Sequence, residues 1–139
     1  QQDNAMSPHS LWDFAANYTA ALCSQDPARV AASFSDAGSL TVNGDEPAIG
    51  RAAIEQVARS FMNAFPDLHL VMDELELQAH HPVYRWTLTG THAETGRPVA
   101  ISGYEVWSID DDGLIETSRG HFDADDYARQ LAGDDRASG

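Results

Sequence analysis

The chain has 139 residues, 42% hydrophobic and 22% charged, which is the balance of one folded domain and excludes a disordered chain. Its formal net charge of −14 argues against nucleic acid and anionic membranes as partners, because both would repel it. No apolar run approaches the roughly 18 residues that a membrane-spanning helix needs, and no basic, apolar secretory leader is present.

Helical periodicity dominates the first half of the chain. Leu11, Phe14 and Tyr18 recur at the spacing of one helix face. Asp26 followed by Pro27 is typical of a helix start, since Asp caps the first turn and Pro fits its first position. The predicted elements are a helix over Ser10–Ser24, a short helix from Asp26 to about Phe34, a short strand over Ser39–Val42 and a helix over Gly50–Ala64.

Beyond Pro66 the spacing of apolar residues changes from helical to extended. Short Gly-containing turns separate the extended segments, which is typical of β-hairpins. The predicted strands are Leu68–Leu77, Val83–Glu94, Arg97–Ile109 and Leu114–Phe122, with a final helix over Ala124–Ala132. Helices followed by a meander predict an α+β fold, a cone of curved antiparallel sheet with helices packed on one face.

The pattern predicts one domain over residues 10–133, flanked by a tail at residues 1–9 and a disordered acidic tail at residues 134–139. The single cysteine, Cys23, cannot form an internal disulfide, which predicts a cytoplasmic protein.

Three helices cannot cover a strongly curved sheet completely, so a ligand cavity is expected between the helices and the sheet. Alternate strand residues should line it. On one strand the set Val99, Ile101, Gly103, Glu105 and Trp107 is apolar except for its glutamate. Either Glu105 points into the cavity, where a polar group has a role, or a bulge turns it outward.

Asp123 stands where a strand stops and a helix begins. A carboxylate held there can reach a cavity and serve as general acid or base if partial burial raises its pKa. An Asp before a short helix is equally an ordinary N-cap. Both interpretations stay open on spacing alone.

Further candidates follow from strand and helix parity. His92 shares a strand face with Trp86, His121 shares parity with Asp123, and Tyr18 lies on the inner stripe of the first helix. Each also has a plain structural interpretation, as a surface histidine or a core tyrosine. The residues predicted to contact a substrate are Tyr18, Phe34, Phe61, Trp86, Glu105, Trp107, Arg119 and His121.

The sequence carries no metal or phosphate motif. His80 and His81 are adjacent and would point to opposite strand faces, and no His-x-x-x-His or Cys-x-x-Cys spacing occurs. No metal and no cofactor are therefore predicted, which leaves cofactor-free chemistry or simple binding.

Several segments together resemble the SnoaL-like polyketide cyclases, of the superfamily of nuclear transport factor 2 and ketosteroid isomerase. They are Trp86-Thr-Leu-Thr-Gly-Thr-His92, Gly96-Arg-Pro-Val99, Asp112-Gly-Leu-Ile115 and Phe122-Asp123, and the resemblance extends over about residues 11–133. It implies a cone-shaped α+β barrel, dimeric or higher through the open sheet face. It also implies Asp123 as acid/base and His92 as a catalytic partner in an aldol closure.

The chain departs from its relatives in two places. Arg119 stands where the family often has Trp, four residues before the Asp. Compared with ketosteroid isomerases, Tyr18 matches the oxyanion-hole Tyr and Glu105 falls near the protonated Asp, but the base would lie around Val42, which cannot accept a proton. Steroid isomerisation is therefore not expected.

The resulting hypothesis is a cofactor-independent enzyme performing cyclase-type or isomerase-type acid/base chemistry on a hydrophobic, carbonyl-bearing small molecule. The alternatives are a non-catalytic ligand-binding or assembly module of the same fold, or a related hydroxylase or hydratase. A homodimer or higher homo-oligomer is expected by analogy. An Asp123 exposed on the outer surface would contradict the enzyme hypothesis in this form.

Overall fold

A computed structural model describes residues 8–76 and 81–132, which form four helices and one six-stranded sheet. The helices are α1 (Pro8–Cys23), α2 (Pro27–Ala31), α3 (Arg51–Ala64) and α4 (Ala124–Ala132). The strands are β1 (Phe34–Val42), β2 (Ala48–Ile49), β3 (His69–Glu76), β4 (Val83–Thr91), β5 (Pro98–Ile109) and β6 (Ile115–Phe122). The α+β architecture predicted from the sequence is confirmed.

Helix α2 is shorter than predicted. The Asp26 carboxylate accepts a hydrogen bond from the backbone N–H of Ala28 at 3.1 Å, as expected for an N-cap before Pro27. The helix ends at Ala31 rather than near Phe34. The helix ends earlier because Phe34 already belongs to β1, where it is fully buried and pairs with Ile115.

The sheet has the order β2-β1-β6-β5-β4-β3. All its neighbours are antiparallel except β1 and β6, which run parallel. The predicted strand Ser39–Val42 is the end of β1, which begins at Phe34 and is irregular before Ser39. The two-residue strand β2 was not predicted, because so short a segment carries no periodicity.

The core lies between the helices and the inner face of the sheet. Helix α1 buries Leu11, Ala15 and Tyr18, which occupy one face at helical spacing. Strand β4 buries Tyr84, Trp86 and Leu88, which alternate with less buried residues. None of the described helices combines the length and the apolar character needed to cross a membrane.

The predicted boundaries are only partly covered by the described residues. Helix α1 begins at Pro8, within two residues of the predicted domain start. Residues 1–7 and 133–139, which hold most of both predicted tails, lie outside the described residues, as does the region 77–80 with His80.

Candidate functional site

A cavity of about 90 Å³ lies between α1, α2 and α3 and the inner face of the sheet. A water molecule needs roughly 10–15 Å³ measured in this way, so the cavity has room for several waters or a small organic group. Its wall is mainly apolar, with Leu22, Val30, Val42, Phe61, Leu70 and Leu88 among the residues that border it. A concave apolar space of this kind favours a hydrophobic ligand.

Glu105 places a carboxylate on this apolar wall. Its Oε1 atom accepts three hydrogen bonds, from Ser118 Oγ at 2.8 Å, Trp107 Nε1 at 2.9 Å and Tyr18 OH at 3.0 Å. The Oε2 atom has a single longer contact, 3.3 Å from Tyr18 OH. The crowded Oε1 has no room for a further donor, so Oε2 is the oxygen left for a bound molecule.

The orientation of Glu105 follows from the regularity of its strand. The pairing of β5 with β6 runs without interruption from Gly103 to Ser108, and its irregularity falls only between Ser108 and Ile109. The alternation that buries Val99 and Ile101 therefore continues through Glu105. Of the two interpretations left open by the sequence, Glu105 takes the one that faces the cavity.

Burial determines the charge behaviour of this carboxylate. Removal from water raises the pKa of Glu105, while the hydrogen bonds from Trp107, Ser118 and Tyr18 partly oppose that rise by favouring the charged form. Burial, and then the neighbouring charge of Glu105, raise the pKa of Tyr18 well above its usual range. Tyr18 consequently keeps its proton, and its hydroxyl donates a hydrogen bond to the carboxylate.

Aromatic rings hold the donors of Glu105 in place. The Trp107 ring stacks on Tyr84 with centroids 4.9 Å apart and an interplanar angle of 19°, and Tyr18 meets Trp107 edge-on at 5.3 Å. Trp107 and Phe34 were predicted to contact a substrate, but neither borders the cavity. Trp107 supports Glu105 from behind, and Phe34 packs against the edge of Tyr18 at 6.2 Å.

Trp86 borders the cavity, as predicted. Its ring crosses directly over Gly103, its partner on β5, where an added Cβ would lie 2.6 Å from the Trp86 ring. The indole Nε1 is buried and has no hydrogen-bond partner among the described residues. A buried donor left unsatisfied costs about 1–3 kcal/mol, so this N–H requires an explanation.

Asp123 lies outside the cavity. It is exposed, its Oδ1 accepts a hydrogen bond from the Asp126 N–H at 3.0 Å, and its carbonyl accepts one from the Tyr127 N–H at 3.1 Å. These are the contacts of an N-cap on α4. The acid/base role predicted for Asp123 therefore has no cavity contact to support it, because the carboxylate satisfies the free N–H groups of the helix start.

The cap can be tested by substitution. Asp123→Ala is expected to lower the free energy of unfolding by about 1 kcal/mol, because α4 loses a side-chain acceptor. Asp123→Asn retains an acceptor and should match the wild type in the same urea titration. Equal stability of the Ala variant would contradict the capping role.

His92 also lies outside the cavity, in the turn between β4 and β5. Its Nδ1 accepts a hydrogen bond from the Thr95 N–H at 3.2 Å, and its ring meets Phe65 edge-on at 5.5 Å. The predicted strand Val83–Glu94 ends earlier, at Thr91, so the alternation that placed His92 beside Trp86 stops before it. His92 organises the turn.

The two predicted substrate contacts on β6 differ, since Arg119 turns away from the cavity and His121 lies at its border. Arg119 is exposed and lies opposite Val106. The ring of His121 lies 5.1 Å from that of Tyr104, its direct partner on β5, although His121 itself borders the cavity. Both alternate with Ser118 and Gly120, which are buried, so the sheet pleat sends Arg119 to the outer face. Phe61 and Tyr18 do border the cavity, as predicted.

The family model described as a SnoaL-like domain matches residues 15–117, most of the chain. The chain belongs to the SnoaL-like family. This family includes cyclases and isomerases, and the resemblance found in the sequence is thereby confirmed. A search of curated proteins gives no significant match.

Solved structures share the fold of this SnoaL-like chain. A hypothetical protein with a ketosteroid isomerase-like fold from Catenulispora acidiphila, solved with trimethylamine, has a TM-score of 0.79 at 12% identity, covering 91% of this chain and 95% of its own. TsrD from Streptomyces laurentii has a TM-score of 0.80 at 20% identity, covering 91% of this chain and 98% of its own. At these identities the likeness shows the fold alone.

Ser118, which does not itself border the cavity, is the donor to Glu105 that was not predicted from the sequence. It pairs with Trp107 across β5 and β6 and reaches Glu105 at 2.8 Å. Counting outward from the hairpin turn before Leu114 would predict the residue opposite Trp107 if the pairing were regular. The irregularity between Ser108 and Ile109 shifts the register, so that count does not give Ser118. Gly103 was noted only as a member of its strand face, with no sign that the Trp86 ring needs the space.

Proposed function

We propose that the SnoaL-like cavity binds a hydrophobic, carbonyl-bearing small molecule and that Glu105, rather than Asp123, performs acid/base chemistry on it. The observation that carries the proposal is the Glu105 carboxylate, held through Oε1 by three donors on an apolar wall with Oε2 left over. A base fixed in this way is ready to exchange a proton without side-chain rearrangement. The chemistry needs only groups of this chain.

The proton moves through Oε2 in this mechanism. Ionised Glu105 removes a proton from the carbon beside the substrate carbonyl, and the C–H electron pair passes into the enolate. In a ketone with a C=C bond next to that carbon the enolate is conjugated, and returning the proton to the far carbon of that bond, as the double bond shifts, gives an isomerisation. Attack of the enolate carbon on a second carbonyl of the same molecule gives an aldol ring closure, with Glu105 returning its proton to the new alkoxide.

Val42 supports a mechanism with one carboxylate. The residue borders the cavity near the position that the superfamily resemblance assigns to a separate base, and it has no proton acceptor. Glu105 must then both accept and return the proton. The raised pKa of Glu105 suits this dual role, because its basicity increases as its pKa moves toward neutral pH.

The experiment uses 2-tetralone, a bicyclic ketone with acidic α-protons, in D₂O. NMR is expected to show exchange of those protons faster than in buffer alone. The rate should rise with pH through the raised pKa of Glu105, since the ionised form is the base. Asp123→Asn should retain the rate, and exchange that disappears in this variant would return the acid/base role to Asp123.

A second candidate function is the binding of a small organic amine. No arginine borders the cavity in the described part of the chain and the sequence contains no lysine, so ionised Glu105 has no basic Arg or Lys partner there. Aromatic rings and a carboxylate together suit an ammonium group, and the C. acidiphila protein was solved with trimethylamine. Tighter trimethylamine binding as Glu105 ionises, without ketone exchange, would favour this candidate.

The partners, the oligomeric state and the cellular location of the protein are also proposals. The charge of −14 supports partners other than nucleic acid, and the family resemblance supports a homodimer or higher homo-oligomer. The single cysteine supports a cytoplasmic location. Hydroxylase or hydratase chemistry at the same carboxylate is a related alternative. Sedimentation analysis would test the oligomeric state directly.

A further inference from the structure

We infer that Trp86 supplies a second polar contact in the cavity, with its indole N–H donating a hydrogen bond to an acceptor oxygen of the bound molecule. The identification of that oxygen as a carbonyl rests on the proposed function. The donor itself is argued from the structure alone.

The two tryptophans near the cavity differ in their hydrogen bonding. Trp107 is fully buried and its N–H donates to Glu105 at 2.9 Å. Trp86 is 9% exposed, and its N–H finds no acceptor among the described residues. Buried donors in folded proteins are nearly always paired, so a donor left over beside a cavity marks a place where a ligand oxygen fits.

Strand register places this donor beside Glu105. Trp86 lies opposite Gly103, and Glu105 is two residues further along the same face of β5. Diagonal neighbours of this kind have backbones about 7–8 Å apart, within the reach of large side chains on the same face. One small molecule can therefore contact the Glu105 carboxylate and the Trp86 indole together.

The glycine opposite Trp86 leaves the space that the indole occupies in this position. Any side chain at Gly103 would meet the Trp86 ring, as well as the His121 carbonyl oxygen at 2.4 Å. The N–H is buried, so a neighbouring side chain has to move for a ligand oxygen to reach it. The half-buried ring of Phe122, whose centroid lies 6.3 Å from that of Trp86, borders the same cavity.

The arrangement assigns different tasks to the two polar groups. Glu105 takes the proton from carbon, and the Trp86 N–H stabilises the oxygen on which negative charge develops. Trp86 is then a specificity residue, since it favours a ligand with an acceptor oxygen over a hydrocarbon of the same shape.

The test compares 2-tetralone with tetralin, which has the same rings and no oxygen. Trp86→Phe removes the N–H and keeps an aromatic ring. It is expected to weaken 2-tetralone binding about tenfold relative to tetralin, the effect of one hydrogen bond. In the wild type, the ¹H–¹⁵N signal of the Trp86 indole should move downfield with 2-tetralone and stay in place with tetralin.

The NMR measurement is made on the wild type, and Trp86→Phe is needed only to identify the indole signal. Equal binding of the two ligands by the wild type, or the same indole shift with both, would overturn the inference. Either result is expected if a water molecule accepts the hydrogen bond of the N–H in place of the ligand. The inference and the proposed function fail separately. Selective 2-tetralone binding without exchange leaves Trp86 as the donor and removes Glu105 chemistry, whereas exchange without selectivity does the reverse.

Discussion

Glu105→Gln is expected to abolish the catalysed exchange of 2-tetralone α-protons, with a loss of at least about 100-fold, the contribution of a positioned general base. The amide has nearly the shape of the carboxylate, and its oxygen can still accept the hydrogen bonds of Tyr18, Trp107 and Ser118. It cannot accept a proton from carbon. The loss should therefore appear in the exchange rate rather than in the fold, as read by near-UV circular dichroism.

Ser118→Ala provides a graded control for this experiment. It removes one of the three donors to Oε1 and leaves the carboxylate in place. The pKa of Glu105 should then rise further, because that hydrogen bond favours the charged form. We expect the pH profile of exchange to move to higher pH while the maximal rate survives. Full activity of Glu105→Gln would contradict the proposed chemistry.

The wild type and Glu105→Gln also report the burial of the carboxylate, through the pH dependence of their stability. Because the folded state raises the pKa of Glu105 above its ordinary value of 4.5, the folded state binds this proton more tightly than the unfolded state. The resulting stabilisation is fully present below pH 4.5 and is lost as pH rises through the folded-state pKa. The free energy of unfolding of Glu105→Gln, relative to wild type, should therefore increase over that pH window.

Gly103→Ala is expected to destabilise the protein by about 3 kcal/mol, the upper end of the usual cost of overpacking, or to prevent folding. The new Cβ would lie 2.4 Å from the His121 carbonyl oxygen and 2.6 Å from the Trp86 ring. The first contact is with backbone, so β5 and β6 must separate locally. Urea denaturation measures the loss, and reduced 2-tetralone binding should accompany it as Trp86 is displaced.

Gly120→Ala is the matched control on the neighbouring strand. A Cβ there would meet the Glu105 Cγ at 3.5 Å and the Thr41 carbonyl oxygen at 3.6 Å, which are ordinary contacts. Gly120 borders the cavity and pairs with Glu105, two residues from Gly103 on β5, so both variants add a methyl group to the same region of the sheet. A loss of stability as large in Gly120→Ala as in Gly103→Ala would show that close approach to Trp86 is not the cause.

The sequence predicted the fold well because the fold depends on repeated patterns. Helical spacing in α1 placed Tyr18 on the inner face, and strand alternation placed Trp86 there and gave the cavity as one of two interpretations for Glu105. These features rest on several residues each, so a single irregularity does not disturb them. The same alternation was correct for Glu105 because the pairing stays regular around it.

The two predicted catalytic residues lie away from the cavity and are single residues at the ends of elements. Asp123 and His92 stand just beyond strands, and there the local turn or cap determines where a side chain points. Spacing could not separate a capping carboxylate from a catalytic one, since both begin with an Asp before a helix. The lack of a partner for the Trp86 N–H could not be predicted either, because it depends on three-dimensional packing.

The parallel pairing of β1 with β6 has a consequence for synthesis of the protein on the ribosome. β1 ends at Val42, but its parallel partner β6 is complete only at Phe122. A nascent chain therefore holds an unpaired strand edge until nearly the whole domain has emerged, and contacts so distant in sequence slow folding. Tyr18 and Glu105, 87 residues apart, therefore come together late, and the cavity, whose lining extends to Phe122, is completed only when most of the domain has been synthesised.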